Sequence, residues 1–76
     1  MKKDKYGLTP RERDIYNYIV AFKLINGFSP TLYEIADELL TSRTFVRESV
    51  QKLNEKGIIQ YNPKKRRTIT VKKMIV

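Results

Sequence analysis

The sequence predicts a mainly α-helical domain closed by a small β-hairpin. Three observations lead there. Apolar residues recur at helical spacing in three segments, and each segment opens on a Ser or Thr placed to cap it. After Gly57 the period changes to short runs rich in β-branched residues around a basic loop. The chain has 76 residues with no Cys and no His, which is room for one domain without disulfide or zinc staples. A chain this short buries only about 60% of its unfolded surface, so well-packed helices must supply its core.

The first helix follows Thr9-Pro10-Arg11-Glu12. Thr9 is placed to cap, Pro10 suits the first helical position and Glu12 completes a capping box. It should run to about Asn26 and stop at Gly27, where a left-handed residue costs little. Ile15, Tyr18, Ile19 and Phe22 make its expected core face. A second stripe, Tyr16, Val20 and Leu24, must pack on the C-terminal segment or meet another subunit. After the turn at residues 27–30, Thr31-Leu32-Tyr33-Glu34 is another capping box. It opens a short helix to about Leu39, with Leu32, Ile35, Ala36 and Leu39 on its buried side. Leu40-Thr41 is a tight connection. Ser42 caps the third helix, Val46, Val50 and Leu53 form its apolar seam, and Gly57 ends it. Residues 58–61 and 68–71 read as strands, joined by the loop Asn62-Pro63-Lys64-Lys65-Arg66-Arg67. Residues 1–8 form a basic arm, residues 9–71 the folded domain and residues 72–76 a tail.

Charge is segregated along the chain. Residues 1–42 carry six bases and six acids, whereas residues 43–76 carry ten bases and two acids, so the whole net charge of +8 lies in the second part. A one-sided positive field suits a polyanion, nucleic acid first among them, where a mere solubiliser need not be segregated. Without Cys or His, the nucleophilic and acid–base sets built on those residues are excluded, and the chain is read as no enzyme. Glu34, Asp37 and Glu38 are read as solvated carboxylates, with no metal and no cofactor expected. No apolar run is long enough to span a bilayer and no signal peptide is apparent, so a cytoplasmic protein of a bacterium or a virus-infected cell is expected.

Helix, helix, tight turn, helix and hairpin in that order describe a winged helix-turn-helix. A helix about 10–12 Å across fits the major groove of B-DNA. In such motifs the first turn of the second motif helix reaches base edges. Here that turn holds Ser42, Arg43, Thr44 and Phe45, with Arg47 beyond. With Val46, Val50 and Leu53 turned inward, Arg43, Thr44, Arg47 and Gln51 point outward. Arg pairs bidentately with guanine, and Thr or Phe touches a thymine methyl. Gln51 sits late in the helix, where backbone or water is its expected partner. Phe45 either joins the reading face or packs on the preceding helix. Lys64, Lys65, Arg66 and Arg67 place four cations on the hairpin loop, suited to phosphates or a narrow minor groove. Lys2, Lys3 and Lys5 are expected to be idle.

At these residues the sequence resembles two bacterial repressor families. Leu8-Thr9, Arg11, Ile15-Tyr16, Ile19, Gly27, Pro30-Thr31, Glu34-Ile35-Ala36 and Leu39 resemble the N-terminal DNA-binding domain of LexA-type repressors. Residues 29–59 are similar to the GntR-type DNA-binding head, most sharply at Ser42-Arg43-Thr44-Phe45-Val46-Arg47-Glu48. The resemblance implies DNA contacts for Arg43, Thr44 and Arg47, and places Thr31 and Tyr33 at the interface. Tyr33 stands where the GntR pattern has an Arg, which turns that contact into a hydroxyl on phosphate or removes it. Leu40-Thr41 replaces Gly-Val in the turn, and Phe45 replaces a Thr. Neither family's second domain, effector-binding or self-cleaving, falls within these residues, so no small-molecule effector is expected.

The resulting expectation is a stand-alone regulator of transcription, a repressor, that binds double-stranded DNA as a homodimer. The stripe Tyr16/Val20/Leu24 and the tail Met74-Ile75-Val76 are the expected dimer surfaces. A replication or excision accessory factor of a phage or mobile element, and a winged helix that binds an acidic protein partner, are the alternatives.

Overall fold

The computed structural model describes residues 5–65 and 67–74. Its elements are α1 (Pro10–Asn26), α2 (Leu32–Glu38), α3 (Arg43–Glu55), β1 (Ile59–Gln60) and β2 (Thr70–Val71), the expected three helices and antiparallel two-stranded wing. Ile59 pairs with Val71 and Gln60 with Thr70. The strands are shorter than the β-branched runs suggested, because the loop between them closes by other bonds.

The capping signals all act as the residues imply. Thr9 and Thr31 each accept a hydrogen bond from the backbone N–H three residues on, and the Glu12 and Glu34 carboxylates each accept one from the cap residue's own N–H. Ser42 Oγ accepts from the Phe45 N–H at 3.0 Å. At the other end of α1, Gly27 adopts φ 82° and its N–H bonds to the Lys23 carbonyl.

All three helices and the wing meet in one core. It consists of Leu8, Ile15, Tyr16, Ile19, Ile35, Ala36, Val46, Val50, Leu53, Ile58, Ile59 and Ile69. Val46, Val50 and Leu53 are fully buried, as the seam of α3 predicts. On α1 the buried face is rotated from the expected one. Tyr16, assigned to the second stripe, is 2% exposed, while Tyr18 and Phe22 are half-buried and extend as an aromatic row to Phe28. The reason lies in the C-terminal segment. Tyr16 donates its hydroxyl proton to the Lys73 carbonyl at 2.9 Å, and the Lys72 and Lys73 N–H groups bond to the Ile58 carbonyl. The tail therefore covers Tyr16 and draws that side of α1 inward. Val20 is half-buried, and Leu24 alone of the stripe stays in solvent.

The core also begins earlier than residue 9. Leu8, placed by its sequence position in the basic arm, is 1% exposed. The segment before α1 is held by Lys56, whose ammonium donates to the Gly7 carbonyl at 2.7 Å and to Glu12 at 3.0 Å. Burial alone would raise the Glu12 carboxyl, but the Thr9 N–H and the Lys56 charge outweigh it and hold the pKa below 4.5.

The turn between α2 and α3 departs from the glycine that such turns favour. Leu40 takes φ 54°, in the left-handed region, with its side chain 91% exposed. The turn closes by the Leu39 N–H on Ile35 and the Thr41 N–H on Ala36. Among the described residues, no helix is long and apolar enough to cross a membrane.

Candidate nucleic-acid interface

An open cleft of about 410 Å³ runs between the N-terminal ends of α2 and α3 on one side and the wing on the other. It brings together Thr31, Tyr33, Arg43, Thr44, Arg47, Lys64, Lys65 and Arg67, eight of the residues singled out from the sequence. The α3 side follows from amphipathic spacing. Arg43, Thr44 and Arg47 are exposed on the face opposite the buried seam. Among the described residues, no carboxylate pairs with Arg43, Arg47, Lys64 or Lys65, so four cations face one opening without internal neutralisation. Such a field is focused by the cleft walls and favours a polyanion.

The wing side is a built loop. The Lys65 N–H bonds to the Asn62 carbonyl, closing a turn with Pro63 at its second position. The Asn62 side chain accepts from the Lys64 N–H, and Thr68 Oγ1 donates to the Asn62 carbonyl while accepting from its N–H. These bonds set the directions in which Lys64 and Lys65 leave the backbone.

Arg67 is engaged differently from the two lysines. Its guanidinium grips Glu34 through two nitrogens, at 3.0 and 3.2 Å, and donates to the Ser29 carbonyl at 3.1 Å. It also lies over the Phe28 ring, 4.8 Å from the centroid, with its own backbone at φ 53°. The expected phosphate-seeking cation thus fastens the wing to the start of α2. Glu34 accepts the Thr31 N–H as well as Arg67, and both hold its carboxyl below the ordinary value. On the other side of α2, burial and the charges of Glu38, Glu34 and Asp37 push the Tyr18 phenol up, which sets these acids beside the aromatic row of α1.

The remaining expected residues that the structure describes lie outside the cleft. Ser42 spends its hydroxyl on the cap of α3. Phe45 is half-buried and packs against the core, bordering a second small hollow with Leu39, Thr41 and Ile15, with the Arg11 guanidinium 5.3 Å from its ring centroid. It packs on the preceding helices, one of the two options its position left open. Gln51 is exposed on α3 but does not line the cleft. Arg66 lies outside the described residues, as do Lys2, Lys3, Ile75 and Val76.

Two features were not anticipated. Tyr61 and Pro63 line the cleft from the wing. An aromatic at the end of a strand, next to a basic loop, was the available signal for Tyr61. The other is the stack of Arg43 on Tyr33, 3.9 Å from guanidinium carbon to ring centroid. These two residues are ten apart in sequence, and only the turn geometry brings them together.

The LexA DNA binding domain family model matches residues 5–68, a span running from the segment before α1 through the wing loop. The chain is 37% identical over 67 residues to the LexA repressor of Mycobacterium leprae, covering 87% of this chain and 28% of that protein. It is likewise 37% identical over 65 residues to the LexA repressor of Staphylococcus aureus, covering 84% of this chain and 31% of the relative. The chain thus spans less than a third of the length of these curated relatives. With three helices, a wing and a cationic cleft between them, and with matches across most of its length, the chain belongs to the LexA DNA binding domain family.

Proposed function

We propose that the chain is a sequence-specific double-stranded-DNA-binding repressor that acts by occupying its site. The first turns of α3 enter the major groove with Arg43, Thr44 and Arg47 toward base edges, while Lys64 and Lys65 of the wing take the flanking phosphates. The observation that carries this reading is the cleft itself. Arg43, Arg47, Lys64 and Lys65 face it from two elements, with no acid among the described residues to neutralise them. The two LexA repressors named above add support.

One head on one half-site gives limited affinity and specificity, so the reading includes a homodimer on an inverted repeat. Tyr16 is taken up by the chain's own tail, which leaves, among the described residues of the expected dimer surfaces, the half-buried Val20 and the exposed Leu24 and Met74.

Selection of bound duplexes from a random pool tests the whole reading. The expected product is an inverted repeat, bound with a log–log salt slope on the order of −5, as about six phosphate contacts would give. Replacing Arg43 and Arg47 by Ala should relax sequence preference and cost about 1–3 kcal/mol for each lost base contact. Affinity unchanged by that double replacement, or flat between low and moderate salt, would sink the proposal.

A further inference from the structure

We propose that Tyr33 is a positioning residue for base reading, the platform that sets the plane of Arg43 so that α3 requires a guanine at one fixed place in its site. The inference rests on the DNA-binding reading above and adds the element that makes it selective.

Arg43 is the first residue of α3, and its backbone is fixed by the Ser42 cap. Tyr33 is the second residue of α2, anchored by the Thr31–Glu34 capping box. The guanidinium carbon stands 3.9 Å from the ring centroid, the shortest cation–ring distance among the described residues, the others lying between 4.8 and 5.9 Å. Both side chains line the cleft, and Tyr33 keeps 58% of its surface in solvent, so the stack belongs to the interface and not to the core. No carboxylate among the described residues competes for Arg43.

Guanine offers O6 and N7 side by side in the major groove, and a guanidinium meets both only when two of its N–H groups lie in the base plane. An unrestrained Arg must give up rotamer freedom to reach that arrangement. Stacking against an aromatic face restricts the plane beforehand and leaves the N–H edge uncommitted. The ordering cost is then met in the free protein, and the contact becomes strict. The expected tyrosine hydroxyl-to-phosphate contact is a different role, and the two separate experimentally.

The test uses the full chain with Tyr33→Phe and Tyr33→Ala, on duplexes carrying the selected site. The relevant guanine is the one that Arg43→Ala no longer requires. Replacing it by 7-deazaguanine, which removes N7 alone, should weaken the wild-type protein and Tyr33→Phe by about tenfold, within the range for a bidentate contact. The same replacement should cost Tyr33→Ala less than about threefold. In the free protein, the Arg43 side-chain proton resonances should show a ring-current shift that persists in Tyr33→Phe and disappears in Tyr33→Ala. Equal sensitivity of all three proteins to 7-deazaguanine would overturn the proposal. So would a base-independent loss shared by Tyr33→Phe and Tyr33→Ala, the signature of a hydroxyl on phosphate, or tighter binding by Tyr33→Ala. A wild-type chain that binds no duplex would overturn the parent reading instead, while a persistent ring-current shift would still locate the stack.

Discussion

Removing the Arg67 side chain should loosen the wing and destabilise the fold, while leaving the number of phosphate contacts nearly unchanged. The structure permits a rough sum. The two-nitrogen grip on Glu34 is partly exposed, at 39% and 36% for the two side chains, so it contributes about 0.5–1 kcal/mol at most. The bond to the Ser29 carbonyl and the stacking on Phe28 add about 0.5 kcal/mol each at such a site. Arg67→Ala should therefore cost about 1–2 kcal/mol, which for a domain of this size lowers Tm by roughly 5–15 °C. The φ of 53° remains unfavourable for Ala, so little strain is released. A thermal melt at neutral pH measures the loss. A double-mutant cycle with Glu34→Gln, which keeps an oxygen for the Thr31 N–H, should return about 0.5–1 kcal/mol of coupling. In DNA titrations across salt, Lys64→Ala and Lys65→Ala should each reduce the magnitude of the slope by about 0.9, whereas Arg67→Ala changes it far less. An unaltered melt combined with a slope lower by about one would refute this account and return Arg67 to the phosphates.

Leu53 is fully buried at the junction of α3 with the wing, so Leu53→Ala should cost about 2–5 kcal/mol, enough to leave much of so small a domain unfolded in a urea titration. Leu40→Gly should raise Tm, because it relieves a left-handed leucine that packs against nothing; about 1–2 kcal/mol of strain is offset in part by the entropy of glycine. Glu12 and Glu34 both have lowered folded-state pKa values, so their contribution is complete above the ordinary carboxylate value of 4.5 and is lost as pH falls through the lowered ones. Tm should thus be flat from neutral pH to roughly 5 and fall below it, less steeply in Glu12→Gln, and a Tm that stays flat through the acid range would contradict the assignment.

Much of the fold was readable from local chemistry. The three caps act between residues three apart, and the seam of α3 is a periodicity within one helix, so sequence alone carries them. The outward placement of Arg43, Thr44 and Arg47 follows from the same seam. What escaped depends on contacts between distant segments. Tyr16 packs on the C-terminal segment, one of the two options its stripe left open, but that it and not Tyr18 is the fully buried tyrosine depends on a carbonyl 57 residues away that receives its hydroxyl proton. Leu8 is buried because Lys56, from the far end of α3, fixes the segment before α1. The pairing of Arg67 was not legible from its basic neighbours, since its partner Glu34 is 33 residues earlier and already engaged in a cap. No spacing rule signals these pairs; they exist only once the chain has closed.

The same Lys56 bonds limit how far α3 can turn about its own long axis. Lys56 follows the last turn of the helix and is tied to Gly7 and Glu12, while Phe45, packed against the core, braces the opposite end. Side-chain tips stand about 5–6 Å from a helix axis, so a roll of about 20° would sweep them by about 2 Å, two-thirds of a hydrogen-bond length. On the DNA-binding reading proposed above, a rod held against rotation at both ends keeps its angular register with the groove floor before any duplex arrives, and a neutral residue in place of Lys56 should blur that register from the end of the helix remote from Arg43.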